Sequence, residues 1–279
     1  MTKTLFLIRA LRFDPVAAQL ADTLTKATGQ KVVFVCDESR GSTDTAGYDK
    51  IALTPGRLKT LGLAKAPDDW GWFWGDVCYY AALARYAEYD YYCLIESDVF
   101  LSKDAAAQFV DRLSRQHEDA LAVRLGPMDA PQKYSRPLEF LGLDPKWGCI
   151  FPVSRVHRSV IRSMLKLRKR SIEQTPNGRL NDEGVLVGAI QEGGYSHAAL
   201  DQILPDVFRP KTFDTNPPHL FEPLMDGPDL GHAFHPVVRF ETVMERIENK
   251  YKNYGRHRLR MVLRAASPDM RAKIEAVLD

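Results

Sequence analysis

Glu96 and Asp98 stand two residues apart at the end of the run Asp90-Tyr91-Tyr92-Cys93-Leu94-Ile95-Glu96-Ser97-Asp98-Val99. In an extended chain, residues i and i+2 project to the same side. Two carboxylates sharing one edge repel each other unless a cation or a donor sits between them. A hard divalent cation takes such a pair, and a cation at a strand end commonly carries a phosphate.

Other ways of handling phosphate, or of supplying a nucleophile, are missing from the chain. The segment Arg9-Ala10-Leu11-Arg12-Phe13-Asp14 follows the first apolar run and contains no glycine. The dinucleotide fingerprint of a Rossmann domain is therefore absent. No Gly-x-x-x-x-Gly-Lys loop, Gly-x-Ser-x-Gly elbow or His-Glu-x-x-His pair occurs. Glu96-Ser97-Asp98 is left as the phosphate-handling candidate, with Ser97 between the two acids.

These residues need a scaffold, and the pattern predicts an α/β one. Leu5 to Ile8 reads as a first strand. Asp14-Pro15 then supplies a helix cap with proline at the first helical position. Val16, Leu20, Ala21 and Leu24 recur at helical spacing, and Gly29 closes that helix. Lys31–Cys36 is a β-branched second strand. A βαβ opening predicts a parallel sheet with ligands at the carboxyl ends of its strands. Residues 40–69 read as polar loop. Trp70-Gly71-Trp72-Phe73-Trp74-Gly75-Asp76 leads into a helix through Tyr80, Ala81, Ala84 and Tyr86, and Tyr91–Ile95 is the next strand. Ser102 caps a further helix, Ala120–Leu125 and Trp147–Val153 are strands, and Ser154 is expected to cap an amphipathic helix. Another helix starts at Asn181-Asp182-Glu183 and ends near Gly193-Gly194. Residues 205–236, rich in Pro, Asp and Gly, are expected to wrap the surface, and the last forty residues to be helical and basic.

The 279 residues suffice for one large domain or two small ones, and 45% hydrophobic content can fill a core. A formal net charge of +2 argues against a dedicated nucleic-acid binder. The four cysteines, Cys36, Cys78, Cys93 and Cys149, form no CxxC pair and read as buried, reduced thiols. The N-terminal apolar run is too short for a signal peptide, and no run reaches the length of a membrane span. The expected setting is the cytoplasm. Seven Lys or Arg against three Glu in residues 241–264, together with Lys166-Leu167-Arg168-Lys169-Arg170, fit either a solvated face or peripheral contact with an anionic membrane surface. Of the aromatic cluster Trp70, Trp72 and Trp74, at least one is expected in the core, the faces of the rest being suited to sugars or bases.

A βαβ start, a helix before the central strand and an acidic-x-acidic triplet after it resemble the GT-A class of nucleotide-sugar glycosyltransferases. The run Tyr-Asp-Tyr-Tyr-Cys-Leu-Ile-Glu-Ser-Asp-Val is similar to the Tyr-Asp-Tyr-x-x-x-x-Glu-x-Asp stretch of several bacterial members. The usual triplet is Asp-x-Asp; here Glu96 takes the first place. The resemblance spans roughly residues 4–240 and implies a GT-A-like, mixed but mainly parallel sheet flanked by helices. Residues 1–240 would form the catalytic domain and 241–279 a basic helical extension.

The resemblance also implies roles. Glu96 and Asp98 would bind a divalent metal, manganese or magnesium, with His235 of His-Pro-Val as a third ligand. Imidazole suits manganese better than magnesium. Asp182 or Glu183 would take the proton of the acceptor hydroxyl, although acids after an Asn cap also suit the helix dipole. Arg9 would meet the diphosphate or base, Asp37 a base amide or ribose hydroxyl, and Asp76 the nucleoside unless it is a cap. Trp147 is expected on the acceptor side. The donor would be a nucleotide-diphosphate sugar, and the acceptor a saccharide or lipid-linked saccharide in bacterial-type surface polysaccharide synthesis. A nucleotidyltransferase-type metal enzyme and a non-catalytic sugar- or protein-binding relative stay open as alternatives.

Overall fold

Thr4–Ala10 forms β1, and Pro15–Thr28 forms α1. The Asp14 side chain caps α1 by accepting from Val16 N and Ala17 N, both at 3.0 Å. Gly29, at φ 61°, ends the helix in the left-handed region that glycine tolerates. β2 (Val32–Asp37), β3 (Asp49–Leu53), α2 (Pro55–Thr60), α3 (Trp70–Phe73), α4 (Val77–Arg85) and β4 (Tyr91–Glu96) follow. Then come β5 (Phe100–Leu101), α5 (Lys103–Ser114), β6 (Ala120–Pro127), a 3-10 turn over Arg136–Leu141, β7 (Trp147–His157), α6 (Arg158–Gln174) and α7 (Asp182–Gly193). The remainder comprises β8 (His197–Ala199), α8 (Leu200–Ile203), β9 (His219–Leu220), α9 (Phe221–Asp226), β10 (Ala233–Phe234), β11 (Val237–Val238), α10 (Phe240–Glu248) and α11 (Pro268–Leu278). This computed structural model describes residues 3–176, 179–216, 218–248, 262–263 and 266–278.

The main sheet has seven strands in the order β3-β2-β1-β4-β7-β6-β8. β3, β2, β1 and β4 are mutually parallel, β7 is antiparallel to both β4 and β6, and β8 is parallel to β6. The architecture is α/β, with a mixed, mainly parallel sheet between helices. Strand alternation builds a core on each face. Leu5, Leu7, Tyr92 and Leu94 pack with α4, α6 and α7. Phe6, Ile8, Cys93 and Ile95 pack with α1 and α5. All four cysteines are buried and unbridged, as expected.

Several expectations need correction. Residues 40–69 contain β3 and α2; β3 is short and partly exposed, so its apolar signal is weak. Ser154 does not cap a helix. β7 runs on to His157, which caps α6, while Ser154 lies buried beside the Tyr79 hydroxyl. Residues 205–236 do more than wrap the surface: Val207, Phe208 and Phe213 are buried in the core below α5. In the basic run 166–170, Arg168 is wholly buried rather than solvated. The 249–261 part of the C-terminal basic stretch, and 264, lie outside the described residues. Among the described residues, no helix is long and apolar enough to cross a membrane.

Candidate active site

The carboxyl ends of β1 and β4 lie side by side, with Arg9 in register with Glu96. Ser97 N donates to Arg9 O at 2.9 Å and Val99 N to Glu96 O at 3.1 Å, so the triplet leaves β4 in a fixed turn. β10 pairs antiparallel with β5, just beyond that turn. This pairing delivers His235, the residue after β10, to the two acids. Val237 N then donates to Asp98 O at 2.7 Å and locks the far side.

Glu96, Asp98 and His235 each offer one ligand atom, all within 4.8 Å of one another. His235 Nε2 is 3.6 Å from Asp98 Oδ1 and 3.9 Å from Glu96 Oε2. Its Nδ1 lies 2.6 Å from the Asp214 carbonyl oxygen, which can only accept. Nδ1 therefore carries a proton, and Nε2 faces the two carboxylates. Two carboxylates and the imidazole Nε2 converge, and a cation there would satisfy all three. A histidine that gives its other N–H to a carbonyl has the usual arrangement of a metal ligand. Two carboxylates and an imidazole suit a divalent ion such as manganese. Desolvation pushes Asp98 up to about 6, with His235 opposing and Glu96 adding to the shift. The Asp214 carboxylate is in turn held by Arg124 Nη2 at 2.8 Å. Arg124 sits in a bulge of β6 at φ 54°, an uncommon conformation for a residue with a side chain.

Arg9 lines the cleft but spends both Nη atoms on protein. Nη1 donates to Glu96 Oε1 at 2.5 Å and approaches Asp182 Oδ2 at 3.3 Å. Nη2 donates to the carbonyls of Gly71 and Trp72, both at 2.8 Å. It is placed as a brace between elements, not as a free phosphate donor. A Cβ at Gly75 would meet Arg9 Nη1 and Asp182 Oδ2, so a larger residue there would have to push that ion pair aside.

Asp182 and Glu183 open α7, and Asn181 caps it by accepting from Gly184 N at 2.9 Å. The Asp182 carboxylate is buried and accepts from Gly75 N at 3.0 Å and from Glu183 N at 2.9 Å. Burial pushes it up to about 7 against the pull of Arg9. Glu183 is half-buried and accepts from Asn181 Nδ2 at 3.1 Å. Burial and then Asp182 push it up to about 8. Neither acid lines the cleft, although Glu96 bears on the titration of both.

The cleft has a volume of about 680 Å³. Its floor holds Arg9, Glu96, Ser97 and Asp98, and Asp37 lies at the end of β2. Asp37 Oδ1 accepts from Ser39 N at 3.0 Å, and the carboxylate presses on Gly71, where a Cβ would collide with Oδ2. Thr242, Glu245 and Arg246 of α10 form part of the wall, so residues beyond 240 belong to the cleft. Trp72 lines it as well, whereas Trp147 does not and packs edge-on against His197.

Asp76 does not fit its expected place beside a nucleoside. It is wholly buried, its oxygens accepting from Arg168 Nε at 2.9 Å, Arg168 Nη2 at 2.5 Å and the Tyr80 hydroxyl at 2.5 Å. It makes no side-chain cap to α4 either. The partners that the sequence reading missed are Asp214, Arg124, and the glycines at 71 and 75. The alternation Trp-Gly-Trp-Phe-Trp-Gly was the available signal, since glycine marks close backbone approach.

No family model matches the chain, and no curated protein matches it. Among solved structures it is similar to a proposed glucose-1-phosphate thymidylyltransferase from Bacillus anthracis, solved in complex with sucrose. That match has 10% identity and a TM-score of 0.40, over 71% of this chain and 87% of the other. A glycosyltransferase involved in glycosylation of the major capsid of PBCV-1 matches with 11% identity and a TM-score of 0.37, over 80% of this chain and 87% of that one.

Proposed function

We propose that the chain is a metal-dependent glycosyltransferase that moves a sugar from a nucleotide-diphosphate sugar to a saccharide acceptor. The observation that carries this reading is the convergence of Glu96 and Asp98, which line an open cleft, with the buried His235. Glu96, Asp98 and His235 would hold a divalent cation there, which would supply Lewis-acid neutralisation of the departing nucleoside diphosphate. Arg9 holds Glu96 in place and neutralises part of the acid cluster. Asp37, which lines the cleft at the end of β2, would accept from the base or ribose.

Of the two acids on α7 we propose Glu183 as the base, which an acceptor would have to reach beyond the lining of the cleft. Asp182 is committed to Gly75 N and Arg9, whereas Glu183 is the less buried. A carboxylate held up to about 8 is a stronger base than an ordinary glutamate. The acceptor oxygen bonds to the anomeric carbon as its proton passes to Glu183. The bond from that carbon to the diphosphate breaks, and the electron pair leaves with the nucleotide. A single displacement of this kind inverts the anomeric centre. The product we propose is a surface polysaccharide or related glycoconjugate, made at the cytoplasmic side with peripheral membrane contact.

The test is a thermal-shift panel of nucleoside diphosphates with and without manganese. The expected result is a manganese-dependent stabilisation by one of them that is lost in Asp98→Ala. Glu183→Gln should keep the shift and lose turnover. If no nucleoside diphosphate stabilises the protein with manganese, the reading is wrong; turnover of a nucleoside triphosphate would move it to nucleotidyl transfer.

A further inference from the structure

The three tryptophans of residues 70–74 have different fates. Trp70 and Trp74 are 6% and 1% exposed and belong to the core, while Trp72 is 64% exposed. A lone exposed aromatic is unremarkable in general. This one is held in place. Its own carbonyl and that of Gly71 are gripped by Arg9 Nη2, the guanidinium that also grips Glu96. The backbone that carries the indole is thus tied through one side chain to the acid cluster, and Trp72 lines the same cleft.

The ring is braced too. Tyr134 meets Trp72 at 6.1 Å between centroids with planes 77° apart, and meets the buried Phe73 at 5.8 Å, also at 77°. Ser135 fixes the Tyr134 loop by donating from its hydroxyl to Pro145 O at 2.7 Å. Tyr134 belongs to the connection between β6 and β7, the half of the sheet away from the ends of β1 and β2. The indole therefore stands between the nucleotide side of the cleft and the β6–β7 side, with most of its surface open. A rigid aromatic plane with a polar edge packs on the C–H face of a pyranose at little entropic cost.

We infer that Trp72, braced by Tyr134, is the stacking platform for a pyranose ring of the saccharide acceptor. This rests on the transferase reading above and adds where that acceptor lies. The test probes an array of immobilised neutral and acidic pyranose oligosaccharides with the labelled full chain in the presence of manganese. The expected result is retention of the wild type on a subset of glycans, at least tenfold weaker retention of Trp72→Ala, and intermediate retention of Trp72→Phe. Both variants should keep the wild-type melting temperature and the manganese-dependent nucleoside diphosphate shift. Retention of Trp72→Ala equal to wild type, or no retention of wild type on any glycan, overturns the platform. Loss of the nucleoside diphosphate shift in Trp72→Ala alone also overturns it, because the indole would then serve a base. A wild type without that shift whose glycan retention needs Trp72 would sink the transferase reading and leave the platform standing.

Discussion

Arg9 Nη1 lies 2.5 Å from Glu96 Oε1, across the register of two adjacent parallel strands, and 3.3 Å from Asp182 Oδ2 on α7. One guanidinium thus joins the candidate metal site to the helix that carries the candidate base. Removing it leaves two carboxylates facing each other with no cation between them and frees the carbonyls of Gly71 and Trp72. Breaking a buried charge pair by deleting one partner costs roughly 3–5 kcal/mol. Arg9→Met is expected to lose about that much in urea unfolding and to abolish the manganese-dependent nucleoside diphosphate shift. Arg9→Lys should recover only part of either, because an ammonium cannot span four acceptors. Wild-type stability in Arg9→Met would show that the pair is not what joins these elements.

Arg124 reaches the same site from the other side. It holds the Asp214 carboxylate, and the Asp214 carbonyl holds His235 Nδ1. Removing a partner behind a metal ligand typically weakens metal affinity 10- to 100-fold, by roughly that range here. Arg124→Met should therefore weaken manganese binding about 10- to 100-fold by isothermal titration. Arg124→Gly should show the same metal loss with a smaller stability loss, since glycine accepts φ 54° without strain. Unchanged manganese affinity in both variants would remove Arg124 from the site.

Much of this was legible because it was local. The apolar runs of β1, β2 and β4, the Asp14-Pro15 start of α1 and the Asn181 cap of α7 are each written within a few residues. The residues that gather into one cluster, Glu96, Asp98 and His235, were also named from the sequence, the last through resemblance. What escaped depended on partners far along the chain. Asp76 reads as a cleft acid until Arg168, 92 residues on, encloses it. Arg9 reads as a phosphate donor until Gly71, Trp72 and Asp182 take its hydrogens. Arg124 and Asp214 carry no motif at all, and only the bulge in β6 and the return of β10 bring them to His235. Ser154 read as a cap because serine often is one; the pull of β7 along β4 carried the strand past it.

The Asp76–Arg168 pair makes a contrasting case, because both side chains are fully enclosed. Arg168 also stacks 4.6 Å over the Trp74 ring and donates to the Leu180 carbonyl just before α7. Asp76→Ala leaves that guanidinium buried without its counter-charge, at a cost of about 3–5 kcal/mol. Urea unfolding should show the loss. Nucleoside diphosphate affinity of the folded variant should stay within about twofold of wild type, since the carboxylate never reaches the cleft. A large selective loss of nucleotide affinity would restore Asp76 to the binding site.

Metal-free protein should be more stable in mild acid than in mild base, and the two acids of α7 give the sign. Unfolded Asp and Glu titrate near about 3.9 and 4.3. Folding raises Asp182 to about 7 and Glu183 to about 8, so the native state holds protons that the unfolded chain releases. The stability this contributes is complete below about pH 4 and is lost as pH rises through 7 and 8. Asp182→Asn and Glu183→Gln each remove one of these titrations, and each should flatten the decline between pH 5 and 9 relative to wild type. Urea unfolding at pH 5, 7 and 9, with chelator present, measures the slopes. Slopes in both variants as steep as the wild type would mean that neither acid is ionised at a cost in the fold. Glu183 would then have no raised pKa to use as a base.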